Sequence, residues 1–108
     1  MINLNSKIFL AGHKGMLGSS IFRVLNKKGY KNIITANKKF LDLRSQISVD
    51  KFLSKKKPDA VIIAAAKVGG IKANMESPAN FIKDNLEIQT NLISSSFSNK
   101  VKKLVIFG

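Results

Sequence analysis

Lys7–Ser19, KIFLAGHKGMLGS, sets a short apolar run against three glycines and then a helical pattern. Lys7–Ala11 has the length and composition of a buried strand. Gly12, Gly15 and Gly18 follow at a three-residue interval, and Leu17, Ile21, Val24, Leu25 and Lys28 then fall on one helical stripe. Strand, glycine turn and helix is the layout of a dinucleotide-binding βα unit, in which each glycine has a physical task. Gly12 turns the chain where a Cβ would clash. Gly15 lets backbone approach a pyrophosphate, held by free N–H groups and the positive end of the helix dipole. Gly18 lets the helix pack closely on the strand. The spacing is GxxGxxG rather than GxGxxG, so a plain tight turn stays open on the glycines alone.

Working outward, Gly29 closes the helix over Met16–Lys28 after two lysines that suit its negative end. Asn32–Ala36 (NIITA) predicts a second strand, and Phe40–Leu43 is a candidate short third strand. Ser45 is a suitable N-cap for a helix with Ile47, Phe52 and Leu53 as apolar positions, stopped by Lys55–Lys57 and Pro58. Ala60–Ala66, AVIIAAA, is unbroken and apolar, as in a central parallel strand covered on both faces. The loop Lys67–Ser77 leads to Pro78, which opens a long helix to about Asn99. Its apolar stripe is read as Ile82, Leu86, Ile93 and Phe97, flanked by Phe81, Ile88 and Leu92. Lys103–Phe107 is the last strand. The order predicts an α/β fold: a Rossmann-type doubly wound parallel sheet, incomplete, with helices on both faces. The ligand crevice would lie where the loops at 12–18, 37–43 and 64–71 converge.

The chain has 108 residues, enough for one domain, and no cysteine, which removes disulfides and thiolate chemistry. With His13 as the single histidine, no metal site or catalytic triad is expected. No apolar run has the length of a membrane span and no secretory signal is seen, so a cytoplasmic protein is expected. The net charge is +13, and 17 of the 19 basic residues are lysines, Arg23 and Arg44 being the exceptions. Without an arginine cluster or aromatic platform, they read as a solvated surface rather than a specific nucleic-acid reader. Non-specific binding to polyanions at low salt is still expected.

In NAD sites an acid after the second strand accepts bonds from the ribose 2′-hydroxyl. Here that place reads Thr35-Ala36-Asn37-Lys38-Lys39, with no acid. Lys38, with Lys14 inside the glycine turn, instead fits a 2′-phosphate and hence NADP. Asp42 and Leu43 stand where the chain lies against an adenine, although a capping Asp and a core Leu would read the same way. His13 is read as a turn residue, not a general base.

AGHKGMLGSSI at 11–21, LDL at 41–43, AAAKVGGIKAN at 64–74, SPANFIKDNLEIQTN at 77–91 and KKLVIFG at 102–108 together resemble the GDP-L-fucose synthases, extended short-chain dehydrogenases/reductases. The resemblance covers nearly the whole chain and implies epimerisation and NADPH-dependent reduction of GDP-4-dehydro-6-deoxy-D-mannose. It implies that Gly12, His13, Lys14, Gly15, Met16, Leu17 and Gly18 hold the pyrophosphate. Lys14 and Lys38 would replace the family's arginines at the 2′-phosphate, keeping charge but losing the bidentate fork. Asp42 and Leu43 would flank the adenine, and Ala64, Ala65 and Ala66 the riboses. Phe107 and Gly108 would approach the nicotinamide, and a loop with Val68, Gly69 and Gly70 would face the sugar. It also implies a GDP-sugar substrate and a homodimer to which the long helix contributes.

One departure is large. The family uses a Tyr and a Lys at i and i+4 and a Ser after the fifth strand, but Tyr30 is the only tyrosine and Ile34 stands four residues on. The chain is therefore read as an N-terminal portion, inactive alone, with the catalytic and substrate-binding parts absent. A nucleotide-binding module without catalysis, an inactive relic and a basic nucleic-acid-binding protein are the competing readings.

Overall fold

The computed structural model describes residues 2–64 and 78–107. Four strands, β1 (Lys7–Ala11), β2 (Asn32–Ile34), β3 (Ala60–Ile63) and β4 (Lys103–Ile106), form one parallel sheet in the order β2-β1-β3-β4. Among the described residues three helices connect them: α1 (Met16–Lys27), α2 (Gln46–Lys56) and α3 (Pro78–Ser98). The connection leaving β1 runs to β2 on one side, and β3 pairs with β1 on the other. The strand order therefore reverses between β1 and β3, and a crevice opens at their carboxyl ends.

Strand alternation divides the core into two layers. Phe9, Ala11, Val61 and Ile63 point to the face covered by α2 and α3, where Val49, Phe52, Leu53, Ile88 and Leu92 complete a buried cluster. The Phe9 and Phe52 rings meet there at 4.9 Å, tilted by 49°. Ile8, Leu10 and Ala60 are buried on the opposite face, where α1 lies along β1.

Several elements differ from the sequence reading. β2 stops at Ile34, and Phe40–Leu43 forms no strand. The N–H groups of Phe40 and Leu41 both turn back to the Asn37 carbonyl, at 3.0 and 2.9 Å, so they are spent on a turn instead of a ladder. Regular pairing of β3 ends at Ile63 and of β4 at Ile106, each shorter than the apolar run containing it. In α2, Ser45 does cap the helix, its side chain accepting from the Ser48 N–H. Ile47, however, is exposed and Val49 is buried. Two residues are about 200° of helix, so only one of these positions can join Phe52 and Leu53 on the inner face.

In α3 the inner face is likewise turned away from the largest apolar side chains. Ile88, Asn91, Leu92, Ser95 and Ser96 are the buried residues, at the i, i+3, i+4, i+7, i+8 spacing of an inner face. Leu86, Ile93 and Phe97 lie outside and exposed. The inner stripe was obscured because three of its five residues are polar. The side chains of Phe81 and Ile82 lie outside the described residues. In α1, Leu17 and Val24 are exposed and Gly18 alone is buried.

Candidate functional site

Gly12 leaves β1 at φ 89°, a left-handed conformation that glycine adopts without strain. The turn closes with the Gly15 N–H donating to the Gly12 carbonyl at 3.2 Å, and the helix starts with the Ser19 N–H on the Gly15 carbonyl at 2.9 Å. A Cβ on Gly18 would lie 1.8 Å from the Gly12 oxygen and 2.6 Å from its carbon. The second and third glycines therefore differ in kind. Gly18 is glycine because α1 packs on the backbone of the turn. At Gly15 a Cβ would meet nothing nearer than 3.6 Å, so the space above it is open.

Gly15 is also the N-cap of α1, and no side chain among the described residues caps the helix. The first turn contains no acid. Its N–H groups therefore face an open surface at the positive end of the helix dipole, beside the exposed Lys14. His13 is half-buried in the turn, Met16 is 91% exposed and Leu17 lies at its rim. Such a backbone cradle takes an anion without desolvating a buried charge.

The neighbouring strands end at the same level. The Ala64 N–H donates to the Ala11 carbonyl at 2.9 Å, and the Phe107 N–H donates to the Ile63 carbonyl at 3.1 Å. Ala64 is buried directly beside the start of the glycine turn, and Phe107 lies two strands along with a partly open ring. Ala65, Ala66, Val68, Gly69, Gly70 and Gly108 lie outside the described residues, as does the rest of the loop around them.

On the other flank, the 37–45 loop is built from side-chain anchors. Asn37 Oδ1 accepts the Phe40 N–H at 3.1 Å, which folds a turn with Lys38 and Lys39 exposed on it. Leu41 is buried and Leu43 packs against the core, so Asp42 between them faces outward. The Asp42 carboxylate receives a forked contact from Arg44, Nε to Oδ1 at 3.1 Å and Nη2 to Oδ2 at 3.1 Å, and the Arg44 N–H at 3.0 Å. These bonds hold the Asp42 carboxyl below the usual aspartate value, with Lys38 adding a smaller effect of the same sign. Arg44 also reaches Asp84 of α3 at 3.8 Å, and Asn91 Nδ2 donates to the Leu43 carbonyl at 3.0 Å. Helix α3 thus fixes the loop at two points. Neither Arg44 nor Asn91 stood out in the sequence. The signal for Arg44 was an arginine two residues after an aspartate at a loop, and Asn91 had none.

Gly12, His13, Lys14, Gly15, Met16, Leu17, Gly18, Lys38, Asp42, Leu43, Ala64 and Phe107 all lie on the carboxyl-end side of the sheet, as the strand and loop positions require. The residues fit a dinucleotide: a tight turn, open space over Gly15, helix N–H groups with no side-chain cap among the described residues, and the exposed cations Lys14 and Lys38. No group of three metal-ligating side chains occurs among the described residues, and no helix among them is long and apolar enough to cross a membrane.

The sequence profile of the NAD dependent epimerase/dehydratase family matches residues 8–108. The chain is 49% identical over all 108 residues to a putative GDP-L-fucose synthase 2 of Arabidopsis thaliana, covering 33% of it. It is 51% identical over 102 residues (94% of the chain) to the GDP-L-fucose synthase of Sinorhizobium fredii, covering 32% of it. Among solved structures, MlghC, a GDP-mannoheptose C4 reductase from Campylobacter jejuni with NADP bound, superposes with a TM-score of 0.94 at 44% identity, over the whole chain and 32% of its own. The chain spans about a third of the length of the curated relatives it matches.

Proposed function

We propose, from the premise that this chain belongs to the NAD dependent epimerase/dehydratase family, that it is the NADP(H)-binding portion of a GDP-L-fucose synthase working in the cytoplasm. The observation that carries the reading is the packed and uncapped glycine turn, Gly12 against Gly18 with open space over Gly15. The relatives of 49% and 51% identity are named for the product, GDP-L-fucose, and the family resemblance implies the substrate, GDP-4-dehydro-6-deoxy-D-mannose. When bound, NADPH supplies the hydride that reduces the sugar at C4.

The chain's own residues bind and orient. The N–H groups of the 12–18 turn and of the first turn of α1 neutralise a pyrophosphate. Lys14 and Lys38 meet the 2′-phosphate as point charges and discriminate NADP from NAD less sharply than paired arginine forks would. Asp42, its carboxylate held in place by the Arg44 fork, accepts a hydrogen bond from the adenine amine, with Leu43 at its side. Ala64 lines a ribose and Phe107 approaches the nicotinamide, and the family resemblance extends these roles to Ala65, Ala66 and Gly108 and gives the sugar side to Val68, Gly69 and Gly70. The exposed Leu86, Ile93 and Phe97 on α3 form the chain's share of a homodimer interface. Proton transfer belongs to residues the 108-residue chain does not carry, since it has no Tyr-x-x-x-Lys pair.

Fluorescence titration with NADPH tests the reading. A saturable change in the fluorescence of NADPH itself, without turnover of the keto-sugar, supports it. No saturable binding at millimolar cofactor would leave only an inactive relic.

A further inference from the structure

The lysines are less evenly distributed in the fold than along the chain. Helices run back against the strands, so α1, α2 and α3 all end at the amino-terminal edge of the sheet, opposite the cofactor cradle. Each end is lysine-rich: Lys27 and Lys28 close α1, and Lys55, Lys56 and Lys57 close α2. Lys100 and Lys102 follow α3. The strands add Lys7 and Lys103 as their first residues, with Lys31 just before β2. Ten of the 17 lysines therefore stand on one edge. The acid placed among them is Asp59, and it is already engaged. Its Oδ2 accepts the Lys7 N–H at 2.9 Å, and its Oδ1 lies 4.0 Å from Lys102 Nζ.

Lysine at a helix C-terminus suits the dipole, and composition alone could supply it. Backbone conformation argues for more than that. Among the described residues Lys57 and Lys100 are the two non-glycine residues with positive φ, at 49° and 56°, one directly after α2 and the other two residues past α3. The position after α1 is Gly29, at φ 96°, the residue this conformation favours. At two of three helix ends the chain thus holds a strained lysine where glycine would be relaxed. Both lysines line the same hollow, of about 240 Å³, with Ser54, Asn99 and Lys102 around Asp59. An adjoining hollow of about 630 Å³ shares Asp59 and carries Lys7, Lys31, Lys55 and Lys56.

We propose that this amino-terminal edge is a second anion site, which binds a linear chain of phosphate groups, namely inorganic polyphosphate. Two linked hollows with a row of flexible ammonium groups suit successive phosphates. The edge offers no arginine fork, and its aromatics, the exposed Phe97 before β4 and the half-buried Tyr30 before β2, stand singly at opposite ends of the strand order rather than as a row on which successive bases stack. Charge density along a single thin chain is therefore what it reads, and polyphosphate, whose phosphates share their bridging oxygens, exceeds single-stranded nucleic acid in charge per unit length.

Binding of fluorescently labelled polyphosphate to the protein, measured by anisotropy at several salt concentrations, tests this. The double variant K57G/K100G is expected to raise Tm, because the left-handed strain is released, and to weaken polyphosphate binding about fivefold. Its salt slope should fall by about 1.4, two lysines at single-strand stoichiometry. K55Q/K56Q, which removes two charges from the adjoining hollow without altering a strained position, should weaken binding similarly, and NADPH titration should be unchanged in both. Unaltered affinity and slope in both variants would overturn the proposal. So would tighter binding of a single-stranded oligonucleotide with the same number of phosphates, which would make the edge a nucleic-acid surface.

Discussion

Gly18 and Gly12 are locked together: a Cβ on Gly18 would fall 1.8 Å from the Gly12 carbonyl oxygen, inside any possible contact. The same geometry leaves Gly15 unconstrained, with 3.6 Å to its nearest neighbour. Gly18→Ala should therefore disrupt folding, costing about 3 kcal/mol or more, since backbone rather than a flexible side chain would have to move. Gly15→Ala should change stability by only about 1 kcal/mol while weakening NADPH binding markedly. Urea denaturation and cofactor titration of the two variants separate the tasks. Equal loss of stability in both would show that the open space at Gly15 serves the fold.

The Asp42–Arg44 fork gives a pH signature. The folded Asp42 pKa lies below its ordinary value of 3.8, through the Arg44 side-chain and then backbone hydrogen bonds. Its stabilisation is thus complete above the unfolded value and is lost as pH falls through the folded one. Because both side chains are nearly half exposed, the effect is small. In a carboxyl NMR titration Asp42 should titrate below 3.8, and Arg44→Gln should move it back up towards that value. The same variant should bind NADPH more weakly at neutral pH. An unchanged midpoint would show that the fork does not persist in solution.

Buried polar groups on α3 make opposite predictions. Asn91 satisfies the Leu43 carbonyl at 3.0 Å, so Asn91→Ala strands a partly buried acceptor and should cost about 1–3 kcal/mol. Ser95 and Ser96 have buried hydroxyl oxygens with no hydrogen-bond partner among the described residues. Replacing either by Ala removes an unsatisfied group and should be neutral or stabilising by up to about 1 kcal/mol. Thermal melts of the three single variants give the comparison, and a destabilised Ser95→Ala would point to a water or contact that its hydroxyl serves.

These residues also show where the sequence was readable. β1, the glycine turn, α1 and the Ser45 cap were legible because local chemistry dictates them: a short apolar run, a left-handed glycine, a side-chain oxygen for a free N–H. The inner face of α3 was not. Asn91, Ser95 and Ser96 are small polar residues admitted to the core by close helix packing, and the larger Leu86, Ile93 and Phe97 drew the eye to the outer face. Phe40–Leu43 has the composition of a strand, but its backbone donors are taken by Asn37. Arg44 and Asn91 act on the site across tertiary distance, which spacing along the chain does not encode. The gathering of lysines at one edge likewise follows from topology, not from any run of charge.

The outer face of α3 should govern association. Phe97 is 76% exposed and Ile93 39% exposed, an apolar stripe that in water favours self-association. The proposed homodimer predicts that the parent protein sediments as a dimer and that Phe97→Glu sediments as a monomer, with NADPH affinity retained. A monomeric parent protein would remove this role from the helix.

The central claim is that the glycine turn, with Lys14 and Lys38, is built for NADP. Isothermal calorimetry with NADPH and NADH, on the parent and on Lys14→Ala/Lys38→Ala, tests it most directly. The account predicts NADPH tighter by about tenfold or more in the parent, as two charge-assisted contacts to a phosphate imply, and near-equal affinities in the double variant. NADH binding as tightly as NADPH to the parent protein would contradict it.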